Sequence, residues 1–321
     1  MESRTTICRQ PWDVVGLGVV AVDDLIYVQN YPAADTKVQV LNTSRQCGGL
    51  TATALVAAAR LGARCAYAGV MGTDDASVFA ADQLAHEGID LNFSQRRPGA
   101  EIYHSRIVVD ATDNSRTIFS DGLGVVGAAE DAPSEDFIRA TKVLFVDHVG
   151  LAGMLRAARI AKASGIPIVS DLERNTGPEF DELCGLVDHF IVSEEFASKL
   201  TGESDLAKAT RLLSRHSGGL VAVTAGNRGC WYASSSTQHT VRHQPAYPVQ
   251  VVDTTGCGDV FHGAYAAALA FGLQESERFR IAAAAAAIKA TAPGGQAGTP
   301  HWSILQAFLR EKDGRGVGEA A

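Results

Sequence analysis

In VVDTTGCGDVFHGAYAAALA, residues 251–270, Asp259 stands behind Gly256, Cys257 and Gly258 and directly ahead of an alanine-rich run. Glycine permits backbone geometry and close approach that a Cβ resists. At a helix start the N–H groups of residues 256–258 lack intrahelical partners, and the macrodipole favours negative charge there. Such a turn can hold an anion. A carboxylate beside a bound anion is costly, so Asp259 has two readings. As a helix cap it contributes about 1 kcal/mol. As a general base it takes the proton of an attacking hydroxyl while the glycine turn neutralises a transferred phosphoryl group.

The elements that must carry this turn fall into two groups. Residues 13–32, DVVGLGVVAVDDLIYVQNYP, read as strand, turn, strand ending at Pro32. The alternating stretch 37–47 and a hairpin over 101–121, turned at Asp113-Asn114, read as half-buried antiparallel strands. Between them, GGLTATALVAAARLGA suits a buried helix, CAYAGV a strand, and SVFAADQLAHEG a helix closed by Gly88. From about residue 143 the order is KVLFVD, LAGMLRAARIAKASG, IPIVSD, HFIVS, EEFASKLTG, SDLAKATRLLSRHSG, LVAVTAG. Strands alternating with amphipathic helices predict a mostly parallel sheet covered on both faces, with ligands at the carboxyl ends of its strands. No internal repeat interrupts this. The expectation is one α/β domain over residues 1–321 with a small β appendage and a loose tail after about Phe308.

A composition of 46% hydrophobic and 20% charged residues is that of a globular chain, and a net charge of −8 offers no general attraction to nucleic acid or anionic membrane. Any anion must be held by local groups. The cysteines at 8, 47, 65, 184, 230 and 257 form no CxxC pair and read as reduced thiols of a cytoplasmic protein. The N-terminal run, with Glu2, Arg4, Arg9 and Asp13, is not patterned as a signal peptide, and IAAAAAAI at 281–288 is shorter than a membrane span. VVGLGVVA at 14–21 matches GxGxxA, with Asp35 near the spacing of a ribose-binding acid. A dinucleotide site needs a helix straight after those glycines, whereas VVAVDDLIYV reads as strand.

DTTGCGDVFHGA resembles the C-terminal signature of the PfkB, or ribokinase-like, family of small-molecule kinases, and CGGLTATALVAAARLGA with GVMGTD resembles its N-terminal signature. VTAGNRG at 223–229 is similar to the family's nucleotide turn, and KATAPGGQAGTP at 289–300 to its loop over the adenine, so the resemblance covers about residues 13–308. It implies a doubly wound α/β fold with a β lid at about 24–46 and 101–120, ATP with Mg²⁺, a sugar substrate, and a homodimer joined through the lid. It makes Asp259 the base and Gly256, Cys257 and Gly258 the anion hole. It places Asp23, Asp35, Gly48, Gly49, Thr53 and Asp147 at the acceptor, and Ser193, Thr224, Gly226, Gly229 and Gly295 at the nucleotide. Asp253 and Thr255 match positions that bind a monovalent cation, K⁺, in relatives.

The departures concern the substrate. Many relatives read GGNxxN, where this chain has Leu50 and Thr53, and the usual NxxE becomes Ser193-Glu194-Glu195-Phe196. Leucine cannot replace an amide, which removes support for ribose and adenosine. SEE, VVDTTGxGDVFHGA and PGGxAGxP are similar in detail to the sulfofructose kinase and ketohexokinase branch, so the expected acceptor is a ketohexose or a C6-modified ketohexose. Nucleoside or aldose kinase, and a non-catalytic sugar-binding regulator, are the alternatives. Lys37 could meet an anionic substituent, with Arg45, Arg106, Arg116 and His104 as further lid cations and His148 where the sulfosugar pattern has arginine.

Overall fold

A computed structural model describes residues 11–113, 115–175, 177–216 and 218–318. Glu2, Arg4, Cys8 and Arg9, and Asn114 of the hairpin turn, lie outside the described residues. Runs of valine and isoleucine give strands buried on both faces, as a parallel sheet requires. The main sheet has the order β14 (Arg242–Gln244), β13 (Cys230–Ser234), β12 (Leu220–Thr224), β11 (His189–Ser193), β10 (Ile168–Asp171), β9 (Thr141–Asp147), β1 (Trp12–Leu17), β4 (Cys65–Tyr67). It is parallel from β4 to β12, and β13 and β14 add an antiparallel edge that the sequence pattern did not reveal.

Helices α1 (Leu50–Arg60), α8 (Cys257–Ala270), α9 (Glu275–Lys289) and α10 (Trp302–Asp313) belong to one face. Helices α3 (Glu135–Arg139), α4 (Leu151–Ala163), α5 (Glu179–Leu186), α6 (Glu194–Thr201) and α7 (Leu206–His216) cover the other. The short α3 and α5 were not read from the sequence; the five residues of α3 hold too few helical turns to show a period. Gly263 explains the alanine-rich sequence of α8: a Cβ there would lie 2.0 Å from Ala54 O, so small residues let α8 and α1 touch backbone to backbone. That contact fixes the start of α8 at the carboxyl edge of the sheet.

CAYAGV divides into β4 and β5 (Val70–Met71), and β5 pairs with β6 (Gln95–Arg96) beside α2 (Asp75–His86). The lid is a second sheet, β3 (Val40–Gly48), β2 (Ala21–Val28), β7 (Tyr103–Asp110), β8 (Arg116–Asp121), in that order. It is not wholly antiparallel: β2 and β7 run parallel, since β7 arrives from a long connection rather than a hairpin. The turn at Gly18 leads straight from β1 into β2, so the helix that a dinucleotide site requires is replaced by lid strand.

Candidate active site

The DTTGCGD segment leads into α8 as a glycine turn. Gly256 takes the N-cap position at φ +74°, ψ 2°, and a Cβ there would stand 2.5 Å from Gly295 O. Only glycine suits both the left-handed backbone and that approach. A Cβ on Gly258 would meet nothing, so the turn is open at this point. Cys257 is half-buried, its N–H is directed to Thr254 O at 3.1 Å, and its Sγ lies 3.5 Å from Ala286 O. Burial raises the Cys257 thiol pKa, which keeps it protonated. Asp259 sits half-buried in the first turn of α8. Withdrawal from water, and next the Asp171 carboxylate, push its pKa well above the usual carboxylate range.

Asp171 and His262 support this turn from below, and neither was assigned a role from sequence. His262 Nδ1 is 2.7 Å from Gly258 O and 3.3 Å from Asp171 Oδ2, while Nε2 is 3.1 Å from Ile191 O. The buried ring therefore ties the anion turn to the end of β10 and the middle of β11. Burial, then Glu173 and Asp147, raise the Asp171 pKa well above its ordinary value. The available signal was an aspartate closing a strand, SD at 170–171, together with a histidine one helical turn beyond Asp259.

Asp253 and Thr255 form the approach to the turn. Asp253 Oδ1 accepts from Thr255 N at 2.9 Å and Thr255 Oγ1 at 2.7 Å, and Oδ2 accepts from Gly294 N at 2.9 Å. The loop carrying Gly295 is thereby clasped to the turn. From the lid, Arg116 Nη1 reaches Thr255 Oγ1 at 2.8 Å. Lys289 Nζ donates to Asp253 O at 2.8 Å.

Among the residues expected at the acceptor, Asp23 lies on β2 with Gly48 against its carboxylate, and burial raises its pKa. Gly49 begins α1 at φ +99°, where a Cβ would meet Val19 O at 2.7 Å. Asp35 and Lys37 are exposed in the segment before β3, Asp35 with φ 59°. Two expected acceptor contacts are placed differently. Thr53 is 1% exposed and its hydroxyl accepts from Gln296 Nε2 at 3.2 Å. Asp147 is fully buried: Oδ2 accepts from Val19 N at 2.6 Å and Thr51 Oγ1 at 2.8 Å, Oδ1 from Val149 N at 2.9 Å. Its carboxylate is turned into the protein, locking β9 to the Gly18 turn, and desolvation pushes its pKa up to about 6.

Several lid cations already have partners. Arg45 pairs with Asp24 and Asp75, and His104 Nε2 lies 2.7 Å from Asp24. Tyr103, His148, Gly150, Leu151, Arg174 and Glu179 line a cavity of about 320 Å³. Arg174 Nε donates to His148 Nε2 at 3.0 Å, and burial, then the guanidinium, draws the His148 pKa down to about 4.

The residues expected at the nucleotide include Ser193 and Thr224, the last residues of β11 and β12. Ser193 caps α6, accepting from Phe196 N at 3.2 Å, and Glu194 pairs with Arg228 of the Gly226–Arg228 turn. Thr224 Oγ1 donates to Val192 O at 3.3 Å. Gly226 and Gly229 have φ +54° and +90°, and a Cβ on Gly229 would meet Gln244 O at 2.2 Å. No group of three or more His, Cys, Asp or Glu placed to hold a metal ion occurs among the described residues.

The chain resembles curated ribokinases from Haemophilus influenzae, at 29% identity over 91% of this chain and 97% of the relative, and Bacillus subtilis, at 28% over 91% and 98%. Among solved structures, a ribokinase candidate from Agrobacterium tumefaciens superposes with a TM-score of 0.84 at 28% identity, over 94% of this chain and 98% of that one. An Arabidopsis thaliana ribokinase complexed with ribose and ATP gives a TM-score of 0.82 at 21% identity, over 92% and 98%, a likeness of fold. These named relatives are ribokinases, not the ketohexokinase branch that the motif details suggested. The family model described as pfkB family carbohydrate kinase matches residues 17–302, so this chain is a carbohydrate kinase of the PfkB family, a phosphotransferase with an alcohol acceptor.

Proposed function

We propose that the enzyme transfers the γ-phosphoryl group of ATP to a primary hydroxyl of a monosaccharide, with a ribose-type aldose as acceptor. The observation that carries this is the convergence at one helix start of Asp259, the Gly256–Gly258 turn, the Gly295 loop and the lid arginine Arg116. Asp259 accepts the proton of the hydroxyl as its oxygen bonds to the γ-phosphorus and the bond to the β-phosphate oxygen breaks, releasing ADP. The Gly256 and Gly258 N–H groups and the α8 dipole stabilise the charge on the transferring group, while the Cys257 N–H donates to Thr254 O. Mg²⁺ enters on the nucleotide phosphates as part of that substrate. The lid excludes water, which favours the sugar hydroxyl over hydrolysis.

Ribose is favoured by the names of the relatives at 28–29% identity. A ketohexose or C6-modified ketohexose is the second reading, supported by Leu50 and by a Thr53 hydroxyl engaged with Gln296, since neither offers an amide to sugar hydroxyls. Coupled ADP-release assays with ribose, other aldoses, fructose, sulfofructose and adenosine separate them. Turnover confined to ketoses overturns the ribose assignment, and turnover with none overturns both. The lid also exposes Leu41, Ile118 and Phe119, which supports pairing of two copies through it; a monomer by sedimentation would count against that.

A further inference from the structure

The family resemblance expects a monovalent cation at Asp253 and Thr255, and the residues around them do not fit one. A potassium ion is held where several oxygens can replace its hydration shell. Here both Asp253 carboxylate oxygens receive hydrogen bonds, from Thr255 and Gly294, and the Thr255 hydroxyl receives one from Arg116. The Asp253 carbonyl receives Lys289 Nζ at 2.8 Å. An added cation would face an ammonium and a guanidinium, an arrangement Coulomb's law disfavours.

Lys289 is the last residue of α9 and is 0% exposed. Lysine is almost never fully buried unless it is paired. Its head group acts electrostatically with Cys257, Asp253 and Asp259. Burial draws its pKa down, while Cys257 and Asp253 pull it up. Its Nζ, 2.8 Å from Asp253 O, stands beside the segment that leads into the anion turn.

We propose that the Lys289 ammonium is a tethered replacement for the monovalent cation, so that this kinase works without K⁺. The charge is fixed to α9 by four methylenes, and it steadies the Asp253–Thr255 turn that leads into α8.

The test uses the full chain in buffers whose only other cation is tetramethylammonium, titrated with KCl or with tetramethylammonium chloride at matched ionic strength. Thermal midpoints are read with and without MgATP, and ADP release with the best acceptor of the panel. For the wild type, K⁺ should change neither the midpoint nor, beyond about twofold, the rate. Lys289→Ala should lose about tenfold or more in rate and regain part of it with K⁺ or NH₄⁺, which should also raise its thermal midpoint. A wild type whose midpoint or rate rises selectively with K⁺ overturns the proposal, even if Lys289→Ala does not fold. So does a folded Lys289→Met variant with unchanged rate. The midpoint arm requires no turnover, so it stands whichever sugar is the acceptor.

Discussion

Arg116 Nη1 lies 2.8 Å from Thr255 Oγ1, which joins the last lid strand to the segment that opens α8. The guanidinium is 3.9 Å from the Asp253 carboxylate as well. A lid residue thus contacts the segment that leads into the Gly256–Gly258 turn directly, and the proposed function makes that contact a latch between lid and turn. Arg116→Ala should raise the KM for the acceptor about three- to tenfold, with a smaller change in kcat. The wild-type advantage should shrink as salt is raised, because the pair is partly exposed. Steady-state kinetics at two ionic strengths measure both effects, and a salt-independent difference would exclude an electrostatic latch.

Asp259→Asn retains shape and removes the proposed base. Turnover should fall by about 10³-fold while the affinity for MgATP stays within about threefold. Near-normal turnover would return Asp259 to the role of a cap.

Gly256→Ala places a Cβ 2.5 Å from Gly295 O on a residue at φ +74°. The turn and the Gly295 loop must separate. The strain of about 1–2 kcal/mol should lower the melting midpoint by roughly 2–4 °C. Displacement of the donors should cost about 100-fold in kcat. Gly258→Ala, where the added methyl meets nothing, should leave the melting midpoint nearer the wild type, which calorimetry can compare.

Lys37 stands exposed in the lid, whereas Arg45, His104 and Arg116 are engaged with Asp24, Asp75 or Thr255. With a neutral sugar, Lys37→Ala should keep KM within about twofold. A selective rise with a sulfonated or phosphorylated sugar would instead assign Lys37 to an anionic substituent.

Asp13 is 5% exposed, and burial alone would raise its pKa, but bonds from Arg64 and Lys142 hold it at about 2. A depressed carboxylate stabilises the fold above its unfolded value of 3.8, and that contribution is lost as pH falls toward 2. Asp13→Asn should therefore cost about 1–2 kcal/mol near neutral pH, after allowance for solvent screening. Urea unfolding of both proteins should show the gap closing below about pH 3. A gap that is constant with pH would assign the loss to packing.

The local chemistry was legible because it is encoded in short stretches. DTTGCGDVFHGA could be read as a glycine turn entering a helix, and the strand-helix alternation after residue 143 implied the parallel sheet that puts it at a carboxyl edge. The rejection of a dinucleotide fold was equally local, since it needed only the strand-like residues after Gly18. What sequence could not decide are contacts between residues far apart in the chain. Asp147 reads as an acceptor contact at a strand end, but Val19 and Thr51, more than 90 residues away, turn it inward. Lys289 reads as the start of the stretch similar to the adenine loop, but it closes α9, is fully buried and donates to Asp253 O. Periodicity fixes which face of an element is apolar. The burial of an individual charge depends on which backbone carbonyl the fold brings to it, and that is a property of tertiary structure alone.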